Sequence, residues 1–261
     1  MSTGRVSPRV ANAYKDEVVA ALRKIGDVRR GSAVAKDRGS SMTHLGIGFP
    51  ALRKRVKEGF SFYDLPAEKV LAVWDQLWRT SPYGDVLFAA IEYYAPRVRK
   101  EVSTALWPVM RGWPERVDNW CHSDGLSSLY SWILASDPAA VYPQLVKWNR
   151  AQDQWLRRIS LVSLIHYSGK NAVFVPLDRA LPLVTACLPD EREHVQKAVG
   201  WVLREMGNAY PGEVRAYIEE HLAVISAVAL RRAIERRSPA EKAGLLAMSR
   251  SSSRRTRRSR R

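Results

Sequence analysis

Residues 191–206 have the sequence EREHVQKAVGWVLREM, which contains the clearest helical pattern in the chain. Apolar residues recur at i, i+3, i+4 and i+7, the spacing that places them on one face of an α-helix. Trp201 lies off that face, between Lys197 and Arg204 on the polar side. The stretch therefore predicts an amphipathic helix that carries an aromatic ring among basic residues. Its apolar face consists of Val195, Ala198, Val199, Val202, Leu203 and Met206.

Helical spacing extends outward from this stretch through most of the chain. No convincing run alternates apolar and polar residues as a half-buried strand would. Residues 38–50 are rich in glycine and predict a turn region, and Pro96 is expected to end the helix before it. Helices are predicted at residues 14–25, 65–80, 85–94, 117–134, 138–146, 152–167, 172–187, 191–206, 212–220, 223–235 and 239–247.

The spacing of three tryptophans indicates how these helices are organised. Trp120, Trp155 and Trp201 are 35 and 46 residues apart, close to the length of a HEAT or armadillo unit. We therefore predict an all-α fold, a HEAT-like helical-repeat solenoid (an α–α superhelix) that forms a single domain over residues 1–247 with a concave basic face. Residues 248–261 are rich in arginine and serine and predict a disordered basic tail.

The charge of the chain indicates a polyanionic partner. There are 42 Lys and Arg against 26 Asp and Glu, giving a net charge of +16 and an isoelectric point near 10.2. Seven arginines lie in residues 249–261, so the rest of the chain still carries +9. Nucleic acid is the commonest partner for such a protein. An anionic membrane surface is the competing partner, but neither terminus has the pattern of a basic amphipathic anchor.

Several other classes of protein are disfavoured by the sequence. No apolar run approaches the roughly 20 residues that a membrane span needs, and residues 1–10 lack the apolar core of a signal peptide, so we expect a cytoplasmic protein. Cys121 and Cys187 form no C-x-x-C pair, and the five histidines form no metal-binding motif. We expect no bound metal, no cofactor and no disulfide framework.

The predicted helix at residues 117–134 places an aspartate beside a tryptophan. Trp120 and Asp124 are four residues apart and share one face, while His122 falls on the opposite, apolar side. We expect the Trp120 and Asp124 face to be exposed and polar and His122 to be a packed histidine. An ordinary surface aspartate next to a tryptophan covered by a neighbouring helix would give the same pattern. The remaining residues of the polar face are Ser127, Ser128 and Ser131.

Two further helices combine aromatic and basic residues. Trp155 lies on the apolar stripe of residues 152–167, with Arg157 and Arg158 off it, and paired arginines can bind phosphates. Lys197 and Arg204 flank Trp201 in the same way, an arrangement that suits a nucleic-acid backbone. The alternative is that Trp201 fills a groove between helices and that the charges are simply solvated.

Three of these segments resemble the DNA alkylation repair family of the AlkD type. They are NWCHSD at residues 119–124, the run from Trp148 to Arg158, and QKAVGWVLRE at residues 196–205, which is the most specific. Weaker similarity is found in GIGFPALR at residues 46–53 and in residues 74–94. The resemblance covers roughly residues 12–220 in the family's order.

The resemblance implies a HEAT-like DNA glycosylase that hydrolyses the N-glycosidic bond of 3- or 7-alkylated purines without flipping the base. It makes Asp124 the catalytic carboxylate, places Trp120 and Trp201 against the deoxyribose, and assigns Arg158 to the DNA backbone. Family members often have aspartate directly after the first tryptophan, where this chain has Cys121. The remaining predicted DNA contacts are Arg157, Lys197, Arg204 and Trp155.

The chemistry of the proposed substrate fits these residue types. A cationic alkylpurine leaves without prior protonation, and a carboxylate with two aromatic rings can stabilise the oxocarbenium ion that forms on the sugar. The expected partner is double-stranded DNA with alkylated purines, bound by a monomer. The competing hypothesis is a non-catalytic helical-repeat protein that binds DNA or acts as a scaffold. It explains the charge and the fold but not the combination of Trp120, Asp124 and Trp201.

Overall fold

Helices make up the regular structure of this computed structural model, which describes residues 8–166 and 172–259. Side chains are described for residues 12–166 and 172–251. Fourteen α-helices and two short 3-10 helices occupy the described ranges, and the only β-type pairings there are two isolated bridges. The all-helical class predicted from the sequence is confirmed. The chain separates into two compact units, at residues 1–136 and 137–261.

The first unit is organised around its fifth and seventh helices. Helix α5 packs against α7, α3, α4 and α1, so consecutive and near-consecutive helices are neighbours, as in a helical repeat. Short 3-10 turns lie at Ser61–Asp64 and Trp113–Arg116. The helices are α1 (Pro8–Arg23), α2 (Val28–Arg38), α3 (Phe49–Glu58), α4 (Ala67–Thr80), α5 (Gly84–Lys100), α6 (Leu106–Met110) and α7 (Trp120–Ser136).

Large aromatic side chains fill the core of the first unit. Trp78 and Trp113 stack with ring centroids 4.5 Å apart, and the Trp78 Nε1–H donates to the Trp113 carbonyl at 2.8 Å. Trp74 and Phe62 are also fully buried and meet edge to face. Burial of side chains of this size stabilises a fold strongly, and the hydrogen bond satisfies the one polar atom of the Trp78 ring.

Three helices of the first unit were not predicted, and one was predicted too short. Helices α2, α3 and α6 have weak apolar patterns, and α3 begins inside the stretch that was predicted as a turn region. Helix α5 continues through Pro96 to Lys100, so the expectation that Pro96 ends the helix is wrong. Burial of Tyr94 before the proline and of Val98 after it keeps both halves packed on the core, which offsets the lost backbone hydrogen bond.

The second unit is built around α11. This helix packs against α13, α9, α12 and α10. A Cβ on Gly200 would lie 2.4 Å from the Ala229 carbonyl oxygen, so only glycine permits the close approach of α11 to α13. The helices are α8 (Pro138–Asn149), α9 (Gln154–Val162), α10 (Leu177–Cys187), α11 (Glu193–Ala209), α12 (Pro211–Glu220), α13 (Ala227–Ala233) and α14 (Pro239–Ser259).

Three boundaries in the second unit differ from the prediction by five residues or more: the end of α9, the end of α14, and the start of α10, which lies at Leu177 instead of residue 172. Helix α9 ends at Val162, short of the predicted end at residue 167, which lies outside the described residues. Helix α14 continues to Ser259, into the segment for which a disordered tail was predicted. Arginine is a good helix former, so an Arg-rich continuation of a helix is physically reasonable. Among the described helices, none has a run of apolar residues long enough to cross a bilayer.

Candidate functional site

Asn119 caps the helix that carries Trp120 and Asp124. Its Oδ1 accepts from the backbone N–H groups of Cys121 (3.0 Å) and His122 (3.1 Å), which are free donors of the first turn of α7. Its Nδ2 donates to the Asp118 carboxylate and to Nδ1 of His122, each at 2.8 Å. Asn119 is fully buried. The start of α7 is therefore fixed by one side chain that makes four hydrogen bonds.

Asp118 ties this cap to the loop after α2. Its carboxylate accepts from the Ser40 hydroxyl at 2.9 Å and from the backbone N–H of Ser41 at 2.6 Å. Partial burial alone would raise the pKa of Asp118, but hydrogen bonds from Asn119, Ser41 and Ser40 outweigh that effect and hold the pKa below its ordinary value. A charged Asp118 thus braces the first turn of α7 against the 40–41 loop.

His122 is a packed, neutral histidine, as the sequence predicts. The ring is fully buried. Nδ1 accepts from Asn119, so Nε2 carries the proton and donates to the Gly84 carbonyl at 2.9 Å. Burial lowers the pKa of His122 to about 4. Both ring nitrogens are used in holding α7 against the start of α5.

Trp120 and Asp124 lie on the first two turns of α7, but not on an exposed face. Trp120 is half-buried and Asp124 is only 5% exposed, so the prediction of a solvent-exposed aspartate is wrong. Ser127 and Ser131 on the same face are also buried. A different face of the same helix packs closely on α5, because a Cβ on Gly125 would lie 2.8 Å from the Ile91 side chain. The polar face of α7 is thus an interior face whose Ser127 hydroxyl bonds to its own helix at 2.8 Å.

The predicted contacts on α9 lie in the interior of the second unit. Trp155 is 7% exposed and packs on the His194 ring, with centroids 4.8 Å apart. Arg158 is 6% exposed and donates to the His194 carbonyl at 2.6 Å. Arg157 forms an ion pair with Asp190 at 2.9 Å. Both arginines therefore have internal partners, and their contact with DNA stays a prediction.

Helix α11 places its predicted residues in three different environments. Trp201 is half-buried, off the apolar stripe as predicted. Lys197 is exposed and pairs with Glu193 at 2.8 Å. Arg204 is largely covered, and it bridges Glu205 at 2.7 Å and Glu235 at 2.5 Å. Lys197 is therefore the one basic side chain of the predicted contacts that is openly available to a ligand.

Comparison with known proteins places this arrangement in a family. The sequence model of the DNA alkylation repair enzymes matches residues 18–236, which is most of the chain. The chain belongs to the DNA alkylation repair enzyme family. A comparison with curated proteins gives no significant match.

A solved structure supports the fold of this DNA alkylation repair family member. It is described as a predicted DNA alkylation repair enzyme from Enterococcus faecalis. The two are 18% identical, with a TM-score of 0.67 over 82% of this chain and 97% of that one. At this identity the likeness concerns the fold, and it agrees with the helical-repeat class predicted from the sequence.

Cys121 directly follows Trp120 in the first turn of α7. Cys121 is buried, and burial raises the pKa of its thiol to about 12, with the nearby Arg38 opposing the shift. The thiol is therefore neutral and unreactive at physiological pH. Asp124 is therefore the acidic residue in the first two turns of α7. Among the described residues, no group of three or more His, Cys, Asp or Glu side chains is arranged to hold a metal ion.

Asn119 begins the NWCHSD motif, but its capping role and the role of Asp118 were not predicted from the sequence. Both are residue types that favour helix N-caps, and they immediately precede α7. The signal was obscured because the helix was predicted to begin at residue 117. Starting it at Trp120 makes Asn119 the cap and explains why the motif begins with an asparagine.

Proposed function

We propose that this DNA alkylation repair enzyme is a glycosylase that hydrolyses the N-glycosidic bond of cationic N3- and N7-alkylated purines in duplex DNA, without flipping the base. The observation that carries the proposal is the pair on α7: a buried Asp124 carboxylate one turn after a half-buried Trp120, on a helix end fixed by Asn119 and Asp118. Family membership supplies the context of alkylated DNA.

Asp124 has the proposed role of stabilising the positive charge that develops on the sugar. When the glycosidic bond breaks, the deoxyribose becomes an oxocarbenium-like cation that a nearby carboxylate stabilises and that water then attacks. A carboxylate shielded from solvent interacts with such a cation more strongly than an exposed one, because the local dielectric is lower. The small exposed fraction of Asp124 thus favours the proposed role. The same carboxylate can orient the attacking water.

Trp120 is proposed to lie against the same sugar. An aromatic face stabilises a cation by about 0.5–2 kcal/mol, and part of the half-buried Trp120 is exposed. Trp201, which is also half-buried, is proposed as a DNA contact of the second unit. Arg158 stays the proposed backbone contact, with its guanidinium held by the His194 carbonyl.

The leaving group needs no general acid in this mechanism. An N3- or N7-alkylpurine already carries positive charge and departs as a neutral base. His122 is the nearest histidine along α7, but its nitrogens are bonded to Asn119 and Gly84 and its pKa is about 4. It therefore holds no transferable proton near neutral pH. The proposed site therefore suits charged lesions, because His122 does not supply a proton for a neutral base.

The experiment that tests this function is release of 7-methylguanine from methylated duplex DNA by the purified protein. The Asp124→Asn variant keeps the side-chain shape and removes the negative charge, so we expect it to bind DNA and to lose most excision. Asp16→Asn is the matched control, because Asp16 is exposed on α1. Protein that binds DNA but releases no base would instead favour the non-catalytic binding function.

A further inference from the structure

Phe49 forms an exposed aromatic surface in the first unit. It is 36% exposed and is the one aromatic among the large apolar side chains that the described residues leave exposed. The guanidinium carbons of Arg38 and Arg53 each lie 5.9 Å from its ring centroid. The Arg30 guanidinium lies beside the preceding residue, within 3.4 Å of where a Cβ on Gly48 would stand. We call Arg30, Arg38, Phe49 and Arg53 the arginine–phenylalanine patch.

The positive charge of this patch is only partly neutralised by the protein. Within the described side chains, neither Arg30 nor Arg38 has an ion pair with a carboxylate. Arg53 is 63% exposed and pairs with Glu92 at 2.9 Å. In contrast, the arginines predicted on α9 and α11 are bonded to Asp190, Glu205, Glu235 and the His194 carbonyl. Arg30 and Arg38 can therefore bind an anionic ligand, whereas the arginines predicted on α9 and α11 are bonded within the protein.

The patch is continuous with the helix that carries Asp124. Phe49 packs on Phe88, with ring centroids 4.8 Å apart. Phe88 in turn lies against α7, since a Cβ on Gly125 would be 3.2 Å from its ring. Arg38 lies close enough to Cys121 to oppose the rise in its pKa. The half-buried Arg38 thus lies beside the first turn of α7.

We propose that the arginine–phenylalanine patch binds the backbone of the DNA substrate, with Arg30 and Arg38 on phosphates and Phe49 against a sugar or base. The inference rests on the proposed function for the identity of the partner. Guanidinium groups match phosphate geometry, and an aromatic ring among them packs on sugars and bases without reading sequence. An acidic protein would not require the exposed ring, and the net charge of +16 suits a polyanion.

A variant of Glu92 tests the proposal in the opposite direction, because it should strengthen DNA binding rather than weaken it. Its carboxylate neutralises Arg53 and lies beside the surface that would meet phosphates. Glu92→Gln preserves the shape of the side chain, releases Arg53 and removes a negative charge. If DNA binds here, this variant binds more tightly than the wild type, whereas a purely structural role for the ion pair predicts no gain.

The experiment measures binding of an undamaged 20-base-pair duplex by fluorescence anisotropy over a series of salt concentrations. Arg30→Gln and Arg38→Gln should each reduce the slope of log K against log salt by about 1, because one phosphate contact is lost. Phe49→Leu should weaken binding roughly tenfold with an unchanged slope, because stacking releases no counterions. Arg215→Gln, which removes an exposed arginine that pairs with Glu219, is the control.

Thermal unfolding of every variant separates loss of contact from loss of fold. The proposal is overturned if the folded patch variants bind DNA as tightly as the wild type, or if they lose no more DNA affinity than Arg215→Gln does. It is also overturned by variants that lose binding to phosphatidylserine vesicles but keep DNA affinity. Release of 7-methylguanine by the same proteins keeps the two proposals apart: excision without patch-dependent binding refutes the patch alone, and patch-dependent binding without excision refutes the glycosylase alone.

Discussion

Lowering the pH should destabilise the protein through His122. In an unfolded chain a histidine has a pKa of about 6.5, whereas burial lowers that of folded His122 to about 4. Between these values the unfolded state binds a proton that the folded state does not. Stability from neutral His122 is therefore fully present above pH 6.5 and is lost as the pH falls towards 4.

The magnitude of this loss follows from the two pKa values. Each pKa unit corresponds to about 1.4 kcal/mol, so the full effect is about 3 kcal/mol in the free energy of unfolding. That is a large fraction of the roughly 5–15 kcal/mol typical of a folded protein. Burial also lowers the pKa of His44, which adds to the loss in the same direction.

The assay is urea unfolding followed by tryptophan fluorescence at several pH values from 7 to 4. His122→Gln removes the titrating group. Its free energy of unfolding should be lower than that of the wild type at pH 7 but should fall less steeply as the pH decreases. His44 stacks on His122 with ring centroids 6.1 Å apart, so the difference between the two curves reports the titration of His122 together with its effect on His44. Parallel curves for the wild type and His122→Gln would refute the assignment of a neutral, buried histidine.

Three further predictions concern the cap, the tail and the lesion. Asn119→Ala should lower the free energy of unfolding by about 2–4 kcal/mol, since it removes a cap and leaves buried groups unpaired, while Asn119→Ser should cost less; equal losses in urea titrations would contradict the capping role. Removal of residues 249–261 should weaken DNA binding and reduce its salt slope but leave the single-turnover rate on saturated substrate unchanged; an unaltered slope would exclude the tail as a contact. The enzyme should release 7-methylguanine and 3-methyladenine from matched duplexes far faster than hypoxanthine, and comparable release of the neutral base would reveal a general acid.

The sequence predicted the helical class and the key faces of two helices because these depend on local periodicity. The apolar stripe of α11 and the packed position of His122 follow directly from spacing. The resemblance located Trp120, Asp124 and Trp201 on α7 and α11. Helix α2 escaped prediction because it buries only Gly31 and is stabilised at its ends by Asp27 and Gly39, whereas α3 buries only Leu52 and Val56 and packs against α5.

The environment of the candidate site could not be predicted, because it depends on contacts distant in sequence. Asp124 was expected to be exposed since its neighbours are serines, yet Asp124, Ser127 and Ser131 are all buried. The ion pairs of Arg157 with Asp190 and of Arg204 with Glu235 were not predicted, because these carboxylates lie 33 and 31 residues away. Phe49 was hidden in a segment predicted as a turn. Helical periodicity places a side chain on a face but does not say what covers that face.

Single-turnover release of 7-methylguanine tests most directly whether the Asp124 carboxylate performs glycosylase chemistry. Wild-type protein and Asp16→Asn should release the base at the same rate. Asp124→Asn, bound to the same duplex at saturating concentration, should lose at least about a hundredfold in rate, the size of effect typical for a lost transition-state charge interaction. An Asp124→Asn protein that excises at the wild-type rate would contradict the account.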